Sequence, residues 1–236
     1  MNKKFSVAVA GLGVGFHHFN FLMKNKDCDV IAVCDFDVKK NDFIKKKFPK
    51  IKIYKDFKKM LDSNKINAVV IATYDNWHAE QIVYAIKKKI HVFVEKPMCL
   101  NYREYFNIKN NLIKNPNLKF SSNLILRNAP QFKKVSNKIK NKSLKKIYYI
   151  QGEYNYGRLE KIVNGWRSKT PNYSVTLGGG IHLIDLACFF LKKRAIKVIG
   201  SSNKIISKNT SFKNDDFTTG IIKFEGDVIM NVISNF

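Results

Sequence analysis

The sequence lacks the features that would assign it to several broad classes of protein. No apolar run approaches the roughly 20 residues that cross a bilayer, no segment is repeated, and no low-complexity linker is present. The apolar residues that precede Ala8-Val9-Ala10 cover only Phe5 to Val7, which is too short for the core of a signal peptide. These absences predict a soluble, cytoplasmic protein with no membrane partner.

Cysteines and acidic residues are both scarce. None of the four cysteines forms a C-x-x-C pair or has zinc-site spacing, which predicts reduced core thiols and no metal. The 18 acidic residues are outnumbered by 43 lysines and arginines, so the net charge is +25. Because the lysines are dispersed, we expect a lysine-rich surface or a cleft for phosphorylated ligands. No nucleic-acid-binding motif is present, and we expect no nucleic-acid partner.

Short apolar runs alternate with helical segments through the first half of the chain. Strands are predicted at 5–10, 30–34, 51–54, 68–72 and 90–94, and helices at 16–24, 38–48, 57–61 and 79–88. Strands that are apolar throughout belong to a parallel sheet covered on both faces. The pattern therefore predicts an α/β fold, a doubly wound Rossmann sheet.

The pattern changes near residue 120. Helices are predicted at 132–139 and 181–191, and strands at 145–156, 195–201, 217–224 and 228–235, with Glu225-Gly226-Asp227 closing a hairpin. The second half is therefore expected to be an α+β domain with an open antiparallel sheet. The predicted domains are 1–122 and 123–236.

A glycine-rich turn follows the first strand. Gly11, Gly13 and Gly15 lie between this strand and a helix, where backbone N–H groups and the helix dipole favour a pyrophosphate. The full G-x-G-x-x-G pattern is not met, because Phe16 occupies the third glycine position. The turn alone would also suit a simple strand-to-helix connection.

Asp35 ends the second strand, about 20 residues after the turn, where an acidic side chain binds the adenosine ribose. Its charge would repel a 2′-phosphate, so NAD is favoured over NADP. Lys39 and Lys40 are close enough in sequence to leave NADP open.

Glu95-Lys96-Pro97 directly follows the fifth strand, where ligands of open α/β sheets bind. A lysine there can hold a substrate hydroxyl and stabilise a developing alkoxide. An ordinary surface loop ended by proline is the alternative interpretation.

The ordered motifs resemble those of the Gfo/Idh/MocA oxidoreductases, which act mostly on sugars, cyclitols and nucleotide-linked sugars. The resemblance spans essentially the whole chain. Its motifs are Gly11-x-Gly13, Asp35, Thr73 to His78, Glu95-Lys96-Pro97 and Gly178-Gly179-Gly180-x-His182-x-x-Asp185.

The resemblance implies a role for each matching residue. Lys96 would be a catalytic lysine beside the nicotinamide, His182 the acid/base, and Asp185 would orient the substrate or His182. Domain 1–122 would bind the dinucleotide, and 123–236 would bind substrate and form a homo-oligomer, a dimer or tetramer. The predicted cofactor-binding set is Gly11, Gly13, Gly15, Phe16, Asp35, Thr73, His78, Glu95 and Lys96.

Three departures from the family pattern stand out. The usual Thr-Pro-Asn-x-x-His is replaced by Thr73-Tyr74-Asp75-Asn76-Trp77-His78, and Gly178 stands where many members carry an aspartate. Family members also continue past Phe236, so the chain is either a fragment or a shortened member.

His182 is predicted to lie in the first turn of a helix beginning near Gly180, where the helix dipole keeps the imidazole neutral and basic. Asp185 is one turn on and faces the same side. No third ligand accompanies this pair, so a metal is not expected. Further substrate contacts are predicted from side chains that hold sugars and acidic groups, Arg127, Tyr156, Arg158 and Arg167.

These observations predict an NAD(P)-dependent dehydrogenase that transfers a hydride between the cofactor and a secondary hydroxyl or ketone of a sugar or nucleotide-linked sugar. Reduction of a non-sugar carbonyl or an imine remains open as a second enzymatic reading. A catalytically silent dinucleotide-binding protein is the alternative from another class.

Overall fold

The chain folds into two units, one ending at Asn123 and the other beginning at Leu124. This computed structural model describes residues 4–171 and 173–236. Within those ranges, no helix is both long and apolar enough to span a membrane.

The first unit is built on a six-stranded sheet whose ladders are all parallel. The strand order is β3-β2-β1-β4-β5-β6, so the winding direction switches between β1 and β4, where ligands of such sheets bind. The predicted Rossmann sheet is confirmed, with one additional strand. The strands are β1 (Phe5–Ala10), β2 (Cys28–Cys34), β3 (Lys52–Tyr54), β4 (Ala68–Ile71), β5 (His91–Val94) and β6 (Phe120–Ser122).

Helices cover both faces of this sheet because its strands are apolar on both sides. In β1, Val7 and Val9 join the core around Phe19, whereas Ala8 and Ala10 join the core on the opposite face. The small alanine side chains allow helices to pack closely there. The helices are α1 (Gly15–Lys24), α2 (Val38–Lys47), α3 (Phe57–Asp62), α4 (His78–Lys87) and α5 (Tyr102–Ile113).

Helix α5 was not predicted, although its start carries a clear local signal. The Asn101 side chain accepts a hydrogen bond from the Glu104 N–H, and Glu104 accepts one from the Leu100 N–H. This reciprocal arrangement resembles a capping box, which satisfies backbone donors at a helix start. The Asn-x-x-Glu spacing would have been enough to place it.

The second unit contains a four-stranded sheet in the order β7-β10-β9-β8. The antiparallel prediction was wrong for β7, which pairs parallel to β10, so the sheet is mixed. Side-chain alternation reveals which residues share a face but not the direction of the neighbouring strand. The elements are α6 (Pro130–Lys140), β7 (Tyr149–Asn155), α7 (Leu159–Val163), α8 (Ile181–Leu191), β8 (Ala195–Asn203), β9 (Phe217–Phe224) and β10 (Ile229–Asn235).

The helical segment around His182 begins earlier than predicted. A π-helical turn at Thr176–Gly180 leads directly into α8, and Gly180 already has helical dihedral angles, φ −55° and ψ −27°. His182 therefore lies beyond the first turn, where the helix dipole has little effect. The prediction that His182 lies in the first turn of its helical segment is therefore wrong.

Gly11 is the residue at which the first unit is least tolerant of a side chain. Its φ is +85°, and an added Cβ would lie 2.2 Å from the Ala72 carbonyl oxygen. Gly13, two residues on, would place a Cβ in open space.

We expect Gly11→Ala to lower the free energy of unfolding by about 2–4 kcal/mol, and Gly13→Ala to leave it nearly unchanged. Urea denaturation of both variants tests this, and equal stabilities would contradict it.

Candidate active site

The glycine turn is held by hydrogen bonds to the end of the neighbouring strand β2. The Gly11 N–H donates to the Cys34 carbonyl at 2.7 Å, and the Leu12 N–H donates to Asp35 Oδ2 at 2.6 Å. Helix α1 starts at Gly15, with no side chain capping its N-terminus. The turn therefore presents uncapped helix N–H groups at the carboxyl edge of the sheet, which favours an anion.

Gly13 and Gly15 differ in their surroundings. A Cβ on Gly13 would have no neighbour within 4 Å, so the turn is open there to a close-lying ligand. A Cβ on Gly15 would lie 3.0 Å from the Ala72 Cβ, so Gly15 permits close packing of helix against sheet. Gly15 thus has the packing role that the missing third glycine would have had.

Phe16 was predicted to contact the cofactor, but its ring belongs to the packing between helices. It lies 5.9 Å from the Phe19 ring and 5.6 Å from the Phe43 ring, measured between centroids. The predicted contact of Phe16 with a cofactor stays a prediction.

Asp35 is buried and already bonded to the protein. Besides the Leu12 N–H, its carboxylate accepts the Asp37 N–H at 2.9 Å and lies 3.5 Å from the Lys40 Nζ. A carboxylate accepts about four hydrogen bonds, so capacity remains for a ribose hydroxyl. Lys40 partly neutralises the charge, and it is also 3.8 Å from Asp37 Oδ2.

Three aromatic side chains that no sequence motif marks as ligand contacts cluster beside Asp35. Phe36 follows β2, and Tyr74 and Trp77 follow β4, with ring centroids 5.3–5.9 Å apart. Phe36 is 52% exposed and Trp77 is 40% exposed, although such rings usually bury most of their area. An exposed aromatic surface at a ligand-binding edge is suited to stacking on a flat ring.

Thr73 and His78 hold the loops of this edge together. The Thr73 hydroxyl donates to Gln81 Oε1 at 2.7 Å. His78 is fully buried, with Nδ1 2.7 Å from the Pro97 carbonyl and Nε2 3.2 Å from the Thr73 carbonyl. His78 thus connects the loops after β4 and β5, and its predicted role at the cofactor site stays a prediction.

Glu95 joins three elements of the first unit. His18 Nε2, from α1, lies 2.7 Å from Glu95 Oε1, and Asn123 Nδ2 donates to the same oxygen at 2.7 Å. Burial alone would raise the pKa of Glu95, but the hydrogen bonds from His18 and Asn123 hold it below its ordinary value. Lys96 follows, half-buried, and the Lys96–Pro97 peptide bond is cis.

In the second unit, Arg127 and Asp185 form a bidentate ion pair. Arg127 Nε donates to Asp185 Oδ2 at 2.8 Å, and Nη2 donates to the other carboxylate oxygen. The Arg127 guanidinium also lies 5.6 Å from the centre of the Phe189 ring. The two residues predicted separately as substrate contacts are thus joined, and the pair anchors the segment before α6 to α8.

The remaining predicted contacts rest on aromatic faces. Arg158 lies 5.6 Å from the centre of the Tyr156 ring, and Tyr156 stacks on Tyr154 at 5.9 Å. Arg167 lies 4.3 Å from the centre of the Trp166 ring. These contacts hold the guanidinium planes in place.

Across the described ranges, no set of three or more His, Cys, Asp or Glu side chains is arranged to bind a metal ion.

The depressed pKa of Glu95 makes stability depend on pH. A carboxyl with a lowered pKa in the folded state adds stability above its unfolded value, near 4.5, and this is lost as pH falls through the folded value. We expect Glu95→Gln to reduce the free energy of unfolding at pH 7 and the difference from wild type to shrink below about pH 4.5. Urea denaturation from pH 7 to 3.5 measures this, and a difference independent of pH would be evidence against it.

Comparison with known proteins agrees with this geometry. Residues 5–123 match the model of the oxidoreductase family with an NAD-binding Rossmann fold, and residues 132–236 match the GFO/IDH/MocA C-terminal domain. A myo-inositol 2-dehydrogenase of Thermotoga maritima is 23% identical over 237 residues, covering 97% of this chain and 67% of that protein.

Two solved structures share the fold. The myo-inositol 2-dehydrogenase of Lactobacillus plantarum has a TM-score of 0.90 at 22% identity. The match covers 99% of this chain and 70% of the Lactobacillus plantarum chain. The scyllo-inositol dehydrogenase of Lactobacillus casei with bound NAD(H) and scyllo-inositol has a TM-score of 0.87 at 20% identity, with the same coverage. Both halves of the chain match models of the Gfo/Idh/MocA family. The protein therefore belongs to this family of NAD-binding oxidoreductases.

Proposed function

We propose that this protein is an NAD-dependent dehydrogenase that oxidises a secondary hydroxyl of a sugar-like polyol to a ketone, or catalyses the reverse. The observation that carries the proposal is a lysine, Lys96, at the end of β5, on the same sheet edge as the glycine turn. The named relatives that act on inositols favour a cyclic polyol as the substrate. The broader class of proposed substrates comprises sugars and nucleotide-linked sugars.

The first unit has the features that a dinucleotide requires. The open side of the turn at Gly13 leaves room for a pyrophosphate against the uncapped start of α1. Asp35 would accept a hydrogen bond from the adenosine ribose, and the rings of Phe36 and Trp77 would stack on the adenine. The carboxylates of Asp35 and Asp37 disfavour a 2′-phosphate, so NAD is proposed over NADP.

Two side chains would handle the substrate proton. His182 would take the hydroxyl proton as general base. The Lys96 ammonium would donate a hydrogen bond to a substrate oxygen and stabilise its developing negative charge. NAD, when bound in the first unit, would supply the hydride acceptor for this reaction. Glu95, fixed by His18 and Asn123, would lie beside the nicotinamide ribose and orient the backbone before Lys96.

The aromatic and basic residues of the second unit would bind the polyol. Tyr156 would contact the ring of the polyol, while Arg158 and Arg167 would offer N–H groups to the hydroxyls of the polyol. Asp185 would act through Arg127, orienting that guanidinium. The partner is a small molecule, and the protein would act in the cytoplasm without nucleic acid.

We expect Lys96→Ala and His182→Ala each to lower kcat by about 10²–10⁴-fold while dinucleotide affinity stays within a few-fold of wild type. Turnover is measured with a panel of inositols, sugars and nucleotide sugars. Dinucleotide binding is measured by quenching of tryptophan fluorescence, to which Trp77 contributes. Lys26→Ala, before the amino end of β2, is the control and should behave as wild type.

Each outcome separates the alternatives. Full activity in both variants would refute the proposed site. Binding of NAD without turnover of any compound in the panel would indicate a silent dinucleotide-binding protein, and turnover of only non-sugar carbonyls or imines would indicate the second enzymatic reading.

We also propose that the protein is a homo-oligomer that associates through the open face of the second sheet. Ile199 on β8 lies directly opposite Ile221 on β9, and both are more than half exposed. This is the face opposite to that of the buried Ile222 and Met230. Exposed apolar residues that adjoin one another in this way mark interaction surfaces.

We expect sedimentation velocity to give a dimer or tetramer for the wild type and a smaller species for the double variant Ile199→Glu/Ile221→Glu. Two buried charges in an interface would outweigh the apolar contact. Ile206→Glu, at a more exposed isoleucine outside the strands, is the control and should assemble as wild type. A monomeric wild type at micromolar concentration would contradict the proposal.

A further inference from the structure

His18, on helix α1, contacts the end of the strand that leads to Lys96. Its imidazole Nε2 lies 2.7 Å from Glu95 Oε1, and its ring packs edge-on against the Phe93 ring, 5.3 Å away between centroids. The neighbouring His17 is exposed, so two adjacent histidines of one helix have different surroundings. The His18 ring is therefore held between α1 and the end of β5.

This contact joins two parts of the first unit to which the proposed function gives different tasks. Helix α1 starts at Gly15, one turn before His18, and its uncapped N-terminus is the proposed place of the pyrophosphate. Glu95 directly follows β5, where its N–H donates to the Ile71 carbonyl at 2.8 Å. His18 thus connects the helix that would hold the cofactor to the residue that precedes Lys96.

The hydrogen bond between His18 and Glu95 has a defined direction. Burial would raise the pKa of Glu95, but the hydrogen bonds from His18 and Asn123 hold it below its ordinary value, so the carboxylate is ionised at neutral pH. An ionised carboxylate only accepts hydrogen bonds, so the His18 Nε2–H donates. A neutral imidazole with its proton on Nε2 can do this, and so can an imidazolium.

The two oxygens of the Glu95 carboxylate are used differently. Oε1 accepts hydrogen bonds from His18 Nε2 and from Asn123 Nδ2, each at 2.7 Å. A carboxylate oxygen accepts about two hydrogen bonds, so Oε1 has no capacity left. Oε2 lies 3.4 Å from the Lys96 backbone N–H, which is longer than an ordinary hydrogen bond. Oε2 is therefore the oxygen that can still accept a hydrogen bond from a ligand.

We propose that His18 is a positioning residue for hydride transfer and acts through Glu95. By occupying Oε1, the imidazole fixes the rotation of the carboxylate, leaves Oε2 for the nicotinamide ribose and steadies the backbone from which the Lys96 side chain starts. This inference rests on the proposed function, in which Glu95 lies beside that ribose and Lys96 acts on the substrate oxygen.

Three donors contact the Glu95 carboxylate, and they come from different elements. Helix α1 provides the His18 imidazole, the residue after β6 provides the Asn123 amide, and the loop after β5 provides the Lys96 backbone N–H. Of these three donors, the imidazole is the titratable one. Its removal would leave the carboxylate buried with two neutral donors.

The test compares three single variants. His18→Leu removes the donor, His18→Gln can place an amide N–H near the position of Nε2, and His17→Leu changes the exposed neighbour. We expect His18→Leu to lower kcat by about 10- to 100-fold, because small misplacements of reacting groups have effects of that size, with at most a few-fold change in the KM for NAD. His18→Gln should recover most of the lost kcat, and His17→Leu should behave as wild type.

The division between kcat and KM separates positioning from a purely structural role. If His18 only stabilised α1, its loss would displace the start of the helix and raise the KM for NAD more than it lowers kcat. Should His18→Leu fail to fold, His18→Asn replaces it, because the asparagine amide is one methylene shorter than that of glutamine and does not reach Glu95.

A second measurement does not depend on turnover. Without the imidazole, Glu95 stays buried but loses a hydrogen bond that lowers its pKa, so its pKa rises in His18→Leu. In wild type the lowered pKa adds stability that is lost as pH falls through the folded value. We expect the difference in urea midpoint between wild type and His18→Leu to shrink between about pH 5 and 3.5, where carboxyl groups titrate.

The outcomes distinguish this inference from the proposed function. Unchanged kcat in folded His18→Leu, no recovery in His18→Gln, or a difference in urea midpoint that is independent of pH would overturn the role of His18. If wild type turns over no compound of the panel, the proposed function is overturned instead, and the urea measurement still reports whether His18 acts on Glu95.

Discussion

The close approach of two turns at the carboxyl edge of the parallel sheet determines the rest of the first unit. The turn after β1 passes so near the end of β4 that the Ala72 carbonyl occupies the space beside Gly11, and Gly15 starts its helix against the Ala72 side chain. The two turns can approach this closely because positions 11 and 15 are glycine and the residue facing them, Ala72, is small. Backbone N–H groups of the turn are thereby held at the point where the strand order reverses.

Buried polar contacts hold the neighbouring loops at the same edge. Asp35 connects the end of β2 to the glycine turn, His78 connects the loops after β4 and β5, and Glu95 connects α1 to the residue after β6. Each contact satisfies a polar group that would otherwise be costly to bury. Separate hydrogen bonds therefore hold the loops of this edge in place.

The sequence was sufficient for the first five strands of the parallel sheet because five short apolar runs alternated with helical segments, and that pattern has few other solutions. It was insufficient for β7, since the direction of a strand depends on where the chain travels between strands and not on side-chain alternation. Among the site residues, motifs identified Asp35 and Glu95. They missed His18 and Asn123, which come from distant segments and carry no local spacing signal.

The Tyr173 phenol fills the space beside Gly178, where an added Cβ would lie 2.0 Å from the Tyr173 hydroxyl oxygen. The mutual exclusion of this phenol and a side chain at position 178 constrains how such sequences diverge. A lineage with tyrosine at 173 cannot gain aspartate at 178 first, because the Cβ and the phenol would overlap. The tyrosine has to be lost before the aspartate is acquired, and in the opposite direction the aspartate has to be lost first. Among related sequences, positions 173 and 178 should therefore covary. A sequence that lacks both the tyrosine and the aspartate is the required intermediate between the two combinations.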